Sequence, residues 1–323
     1  MSYIETAKAI IEEMLKGESA DKLRNISEKI SENYQAGIKT DTKPITRKLQ
    51  AEVYAAVRMP ATYAAVSAAL GYALDTYEIE GKTLTDAGAG TGAATLAAAE
   101  MMELDRITCL ECEDVMMALG EKLIGQCGKL SENNALSRAR WIKSDIKTYN
   151  FENSAAVVIS SYMLNELGED MRADVIEKLW NAAEELLLIV EPGTPRGYGV
   201  IMQARKLLMQ KGAHIAAPCL HEKECAVKDN DWCHFTVRVP RSRLHKLIKN
   251  AEVPYEDEKF SYIAFTKEKS SAAGRRILRH PYIQKGNVRL RVCGENGIED
   301  ICVTRKDGEL FKKARKADCG DVL

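Results

Sequence analysis

Apolar residues in MSYIETAKAIIEEML recur at helical spacing, and an Ala-rich run from Arg47 to Leu74 keeps the same period. Residues 1 to about 80 therefore read as helices, with Pro60 expected to end or kink the long one because it lacks an N–H and clashes with the preceding turn. A different rhythm follows, in which short apolar runs alternate with longer amphipathic ones. KTLTDA precedes a helix at 93–103, ITCLEC a helix at 114–125, WIKSD stands alone, AAVVISS precedes a helix at 169–184, and LLLIVEP a helix at 197–211. That alternation predicts an α/β fold with a doubly wound parallel sheet. A cysteine-bearing loop comes next, then a basic helix near 240–250 and FSYIAFTK, expected as an antiparallel edge strand. Beyond Ala273, GNVRLRVC and EDICVTR flank a Gly-containing turn and predict a small β appendage. The expected organisation is a helical region at 1–80, a sheet domain at 81–270 with a cysteine insertion at 214–235, and a basic appendage at 271–323.

At 323 residues and 46% hydrophobic content, the chain has enough apolar material for a main domain with appendages. Charges interrupt every apolar run before membrane-spanning length, and the start has no basic n-region, so neither a membrane helix nor a signal peptide is expected. Nine cysteines, an odd number, argue for a reducing compartment, and the expected location is cytoplasmic. The net charge of −1 hides an asymmetry: residues 1–195 hold 20 Lys and Arg against 31 Asp and Glu, residues 196–323 hold 26 against 16. The basic runs RVPRSRLHKLIK, GRRILRH, NVRLRV and FKKARK, interleaved with Phe235, Tyr262, Tyr282 and Phe311, predict a phosphate-backbone surface with stacking side chains. A solvated basic face is the alternative.

In TDAGAGTGAATLAAA, Asp86, Gly88, Gly90 and Gly92 stand between the first strand and a helix. Glycines there let the backbone turn sharply and approach a ligand, and the helix start offers free N–H groups. Gly88, Gly90 and Ala93 also satisfy the dinucleotide pattern G-x-G-x-x-A, so nicotinamide is one alternative and an empty structural loop another. The acid two residues before the first glycine favours S-adenosylmethionine, with Asp86 facing the cofactor's amino-acid part. Glu111, ending the second strand, is then placed to accept both ribose hydroxyls, and Asp145 to lie near the adenine.

Strand four ends in SSYMLNEL, without the Asp/Asn-Pro-Pro-aromatic motif of amino-methyltransferases. Ser160 and Asn165 complete the cofactor candidates, and Tyr162 and Glu166 stand beside them, although Asn165 and Glu166 also suit an ordinary helix entry. Cys109 and Cys112 read as core thiols, not nucleophiles. No catalytic residue is identified. EPGTPRGY, with Arg196 and Arg205 nearby, predicts a rigid turn at the carboxyl edge of the sheet, where ligands bind in such architectures.

Cys219, Cys225 and Cys233 fall within fifteen residues, a density of soft ligands that suits zinc or an iron-sulfur cluster. His221, His234, Cys293, Cys302 and Cys319 are the candidates for a fourth ligand. Zinc modules pair ligands two to four residues apart, whereas gaps of five and seven imply a loop wrapped around a larger object. Unliganded thiols are the remaining alternative.

The segments VRMPATYAAV, DAGAGTGAATLAA, SYMLNEL, IVEPGTPRGY, the APC(x5)C(x7)CHF run, EKFSYIAF and the KGNVRLRVC end together resemble the ribosomal small-subunit methyltransferase-like family, over nearly the whole chain from about residue 45. The resemblance implies a class I methyltransferase fold, S-adenosylmethionine binding, association with small-subunit ribosomal RNA and a 4Fe-4S cluster. Carried over by position, the cluster ligands are Cys219, Cys225, Cys233 and Cys293, with zinc the lesser alternative. Such a cluster would pin the basic half to the sheet. The expected partners are the small ribosomal subunit and its rRNA, with no membrane, and the chain is expected to act as a monomer. Three functions follow as alternatives: a methyltransferase acting on a ribosomal substrate, a non-catalytic assembly factor, and a nicotinamide-dependent iron-sulfur oxidoreductase.

Overall fold

A computed structural model describes residues 2–35, 45–228 and 230–323. The chain opens with α1 (Tyr3–Met14), α2 (Ala20–Gln35) and α3 (Lys48–Leu74). The Ser2 side chain starts α1 by accepting the N–H of Glu5. Then come β1 (Thr83–Ala87), α4 (Ala93–Met101), β2 (Arg106–Glu111), α5 (Asp114–Leu130), the single turn α6 (Asn134–Ser137) and β3 (Arg140–Lys143). They are followed by β4 (Ala155–Ser161), α7 (Glu169–Ala182), β5 (Ala183–Pro192) and α8 (Pro195–Met209). The sheet is completed by β6 (His214–Ala217), β7 (Phe235–Pro240) and β8 (Tyr255–Thr266), with α9 (Arg243–Lys249) between the last two.

The strand order is β3-β2-β1-β4-β5-β8-β6, with β7 pairing the first half of β8. Strands β1 to β5 run parallel, and β8 is antiparallel to β5, β6 and β7. This is the doubly wound, class I methyltransferase-like sheet expected from the alternation of elements. Both faces of the central strand β5 are covered, which is why it reads as an unbroken apolar run. Leu186, Leu188 and Val190 pack with α3, α4 and α5, while Leu187 and Ile189 pack with α7 and α8.

Pro60 does not end the long helix: α3 continues through it from Lys48 to Leu74. Its flanks are held from outside, since Val53, Val57 and Met59 before it and Ala65, Val66 and Leu70 after it are buried in the main core. Tertiary burial on both sides offsets the roughly 3 kcal/mol that an interior proline costs. The strand expected at the sheet edge is also misplaced by the sequence reading. β8 is interior, because β6 and β7, neither of them anticipated, cover its far side.

The C-terminal segment forms a second antiparallel sheet from β9 (Arg276–Ile277), β10 (Tyr282–Gln284), β11 (Asn287–Gly294) and β12 (Gly297–Thr304), closed by α10 (Glu309–Ala314). Val288, Leu290 and Val292 alternate onto one face of β11 and bury against Phe311 and Ala314. The aromatic side chains expected to stack on bases are mostly core. Phe235, Tyr262 and Phe311 are 1%, 1% and 8% exposed, and only Tyr282, at 58%, is free to stack. Among the described residues, no helix is long and apolar enough to cross a membrane.

Candidate functional site

Most of the sequence-predicted cofactor residues stand at the carboxyl ends of β1, β2 and β4 or in the turns that follow them. Between β1 and α4, Gly88, Gly90 and Gly92 have φ of +74°, +56° and +84°. Those values favour glycine, but the three positions differ in what surrounds them. A Cβ on Gly88 would lie 2.7 Å from the Met163 side chain and one on Gly92 2.6 Å from Ile124, whereas one on Gly90 would meet nothing closer than Met116 at 3.7 Å. Gly88 and Gly92 are therefore fixed by packing, and Gly90 alone of the three has room for a Cβ, in ordinary contact with Met116.

Glu111 ties this loop to β2. Its carboxylate accepts the N–H of Gly90 at 2.7 Å and those of Cys112 and Glu113 at 2.8 Å each. The oxygens keep lone pairs for a further donor, so the role expected of Glu111 is compatible with this geometry. Asp86 is fully buried and turned toward α4, where Oδ2 accepts the backbone N–H of Thr95 at 3.0 Å and its hydroxyl at 2.7 Å. Burial pushes Asp86 up to about 6. Asp145 is exposed after β3, one residue beyond Ser144, whose N–H bonds the Glu111 carbonyl at 2.9 Å, and it accepts the Lys147 N–H at 3.0 Å. Cys112 is exposed, contrary to expectation, because β2 ends at Glu111 and Cys112 already begins the turn into α5.

Ser160 is fully buried at the end of β4. Asn165 donates its side-chain N–H to the Tyr162 carbonyl at 3.1 Å, and its own carbonyl accepts from Arg196 at 2.6 Å. Glu191, at the end of β5, went unrecognised in the sequence although LLLIVEP displays it. It is fully buried, accepts the Leu164 N–H at 2.9 Å, and is pushed up to about 8 by burial. Glu166 follows β4 with its tip exposed, and partial desolvation and then the nearby charges of Glu111 and Glu113 raise its pKa.

Three buried polar atoms at the carboxyl edge of the sheet have no partner: Asp86 Oδ1 on the α4 face, and Ser160 Oγ and Glu191 Oε2, which register and alternation place on the opposite face. Native interiors leave few such atoms, and three at the carboxyl edge of adjacent strands β1, β4 and β5 fit a ligand bearing cationic and hydrogen-bonding groups. On the side past β4, Tyr162 takes a φ of +58° and donates its hydroxyl to Glu258 at 2.8 Å. Glu258 in turn holds the Arg58 guanidinium in a two-point pair at 3.0 and 3.2 Å. Arg58 and Glu258 stand 200 residues apart, and only the packing of α3 on β8 brings them together.

A second site lies between α8, the loop after β6 and the second sheet. Cys219, Cys225, Cys233 and Cys293 line a single pocket, together with Tyr198, Tyr262, Arg205 and Arg276. The other fourth-ligand candidates are elsewhere. Cys302 is exposed on β12, Cys319 is buried against the main core, and His234 bonds the Trp232 carbonyl. His221 approaches from the side, its Nε2 3.8 Å from Cys293 Sγ. All nine thiols are free. Among the described residues, no three of His, Cys, Asp or Glu are gathered as around a single metal ion.

The two cations of this pocket were not foreseen. Arg276 is 1% exposed and bonds the carbonyls of Pro218 at 3.0 Å and Gly320 at 2.7 Å, while Arg205 is 8% exposed and bonds the Lys223 carbonyl. Arg276 Nη2, Arg205 Nε and the Tyr262 hydroxyl are buried without partners. Burial and mutual repulsion raise the pKa of Cys233 and Cys293, the latter to about 11, and the two arginines partly offset burial at Cys219. Four thiols and three unpaired donors around one pocket fit an anionic, thiolate-held group.

The two sites are physically joined. Trp232, from the cysteine loop, donates its indole N–H to the Gly193 carbonyl at 2.9 Å, in the turn directly after Glu191. Tyr198 on α8 contacts Cys225 Sγ at 3.4 Å, and Arg196, two residues earlier, bonds the Asn165 carbonyl.

The profile of a family described as mitochondrial small ribosomal subunit Rsm22 matches residues 48–323. The human mitochondrial ribosome assembly protein METTL17 is 27% identical over 298 residues, covering 84% of this chain and 62% of that protein. The mitochondrial Rsm22-cox11 tandem protein 2 of Schizosaccharomyces pombe is 24% identical over 220 residues, covering 53% of this chain and 29% of that one. The chain thus spans less than two thirds of the length of these relatives. Among solved structures, magnesium protoporphyrin IX methyltransferase from Synechocystis PCC 6803 with bound SAM aligns with TM-score 0.43 and 14% identity, over 81% of this chain and 97% of that one. The expected cytoplasmic location is overturned by the relatives and the family description, which are mitochondrial and point to mitochondria. Free thiols indicate a reducing surrounding and do not separate one such compartment from another.

Proposed function

Because the chain belongs to the mitochondrial small ribosomal subunit Rsm22 family, we propose that it is an S-adenosylmethionine-binding factor in assembly of the small ribosomal subunit, braced by a 4Fe-4S cluster and docked on rRNA through its basic half. The observation that carries the cofactor reading is the set of unpartnered buried atoms, Asp86 Oδ1, Ser160 Oγ and Glu191 Oε2, at the carboxyl ends of β1, β4 and β5. In this reading Gly90 lets the backbone approach the ligand, Glu111 takes the ribose hydroxyls, and Asp86, Ser160, Asn165 and Glu191 receive the amino-acid and sulfonium end. Asp145, exposed after β3, borders the adenine side.

When bound, the cofactor supplies an electrophilic methyl group. On the side where an acceptor would enter, the Tyr162 hydroxyl is committed to Glu258 and the ion pair with Arg58. This cluster favours binding without turnover, and methyl transfer is the second reading. Small-subunit particles from cells lacking the protein, incubated with labelled S-adenosylmethionine, distinguish them: the first reading expects binding and no transferred label.

The cluster reading rests on Cys219, Cys225, Cys233 and Cys293 sharing one pocket with the unpaired donors of Arg205, Arg276 and Tyr262. Arg205 and Arg276 would balance the cluster's negative charge. The group would join the loop between β6 and β7 to β11 across 74 residues of chain from Cys219 to Cys293, so its loss would loosen the basic half. Exposed Lys285, Arg289 and Tyr282 on the second sheet offer the RNA contacts.

A further inference from the structure

The crossover from β3 to β4, residues 144–154, contains no helix, and the sheet face beneath it is left open as a cavity of about 330 Å³. It lies toward the amino ends of the strands, away from the glycine loop. Period-two alternation puts Thr108 and Leu110 of β2 on this face, and register places Thr85 beside Thr108 and Thr108 beside Arg140. A polar row, Thr85, Thr108 and Arg140, therefore runs from β1 to the edge strand β3. Tyr149 and Phe151 form one wall, packed edge to face with ring centroids 5.1 Å apart.

Arg106, Arg138 and Arg140 all line this cavity and are all exposed. Among the described residues, no carboxylate lies within ion-pair distance of any of the three, although the half of the chain that holds them carries 31 acids against 20 bases. The lining also holds Asp105 and Glu152, neither of them ion-paired to these arginines, so three guanidinium groups against two carboxylates leave a net positive charge for an anion to offset. Guanidinium forks match phosphate oxygens, the threonine hydroxyls suit sugar or phosphate, and an aromatic wall suits a base. The volume lies within the range of small-ligand sites and suits one nucleotide.

We infer that this cavity is a binding site for a single phosphorylated nucleoside, either free or as one unit of an RNA strand, separate from the S-adenosylmethionine cleft. The arginines take the phosphate and the Tyr149–Phe151 wall takes the base.

Calorimetric titration of the full chain at low salt tests this, using uridine and adenosine monophosphates, inorganic phosphate, and a twelve-nucleotide single-stranded RNA as probes. The expected result is that a monophosphate binds, that Arg106→Gln and Arg140→Gln each weaken it about tenfold or more, and that S-adenosylmethionine does not compete. Circular dichroism of the variants should match the parent, since these side chains are exposed. Phe151→Leu should weaken the monophosphates while leaving inorganic phosphate binding unchanged. Competition between monophosphate and the RNA identifies an RNA unit as the ligand; monophosphate binding without competition identifies a free nucleotide. The inference is overturned if neither monophosphate binds, if the glutamine variants bind as the parent does, or if inorganic phosphate binds as tightly as the monophosphates.

Discussion

Replacing Arg276 with Met asks whether the cysteine pocket is built for an anionic occupant. Arg276 is 1% exposed, two of its nitrogens bond the carbonyls of Pro218 and Gly320, and Nη2 has no partner. If the pocket holds a cluster, the guanidinium is half of a buried charge pair, and removing it leaves the other charge uncompensated at a cost of about 3–5 kcal/mol. If the pocket is empty, the lost hydrogen bonds, about 1 kcal/mol each net, are offset by no longer burying an unpaired charge. Arg276→Met should therefore destabilise the loaded protein about 2–4 kcal/mol more than the chelated one. Differential scanning calorimetry of parent and variant, each prepared anaerobically and again after iron removal, measures the four melting points. For a melting unit of 150–250 residues, that difference is on the order of 10 °C. Equal losses in both states would refute the reasoning and reduce Arg276 to a clamp on two carbonyls.

Gly90→Ala should fold with a loss of about 1 kcal/mol, from its φ of +56°, yet abolish S-adenosylmethionine binding in equilibrium dialysis. Gly92→Ala, whose Cβ would meet Ile124 at 2.6 Å, should instead lose several kcal/mol in urea unfolding. Glu111→Gln should weaken cofactor binding about tenfold to a hundredfold, because charged acceptors of the Gly90 loop and of the ribose are lost together. Asp86 and Glu191 are raised to about 6 and about 8, above their unfolded values. Their stability contribution is complete at low pH and declines as pH rises through those values. Ligand-free protein should lose a few kcal/mol between about pH 4 and 8, and Glu191→Gln should flatten the upper part of that curve in chemical denaturation.

Sequence reading succeeded where the chemistry is local. The strand-helix alternation and the glycine turn each depend on residues close in sequence, and each has a counterpart in the structure. It failed where tertiary packing decides. Pro60 stays inside α3 because both flanks are buried, and β7 escaped notice because it is short, carries Arg238 and ends in Pro240. Phe235 and Tyr262 read as stacking platforms beside basic residues, but β7 and β8 fold them into an aromatic cluster with Tyr72 on α3. Basic composition alone could not show that Arg276 is buried or that Arg238 and Arg291 are already paired with Asp257 and Asp300. The Arg58–Glu258–Tyr162 cluster and the open face at Arg106, Arg138 and Arg140 draw on distant segments, so no local pattern announces them.

The central claim is that Cys219, Cys225, Cys233 and Cys293 together hold a 4Fe-4S cluster that braces the basic half against the cofactor-binding sheet. Anaerobic purification with iron, acid-labile sulfide and zinc analysis tests it most directly. The account predicts a brown protein with about four iron and four sulfide per chain, both lost in a Cys225→Ser, Cys293→Ser double variant. A colourless parent protein carrying one zinc per chain would contradict it.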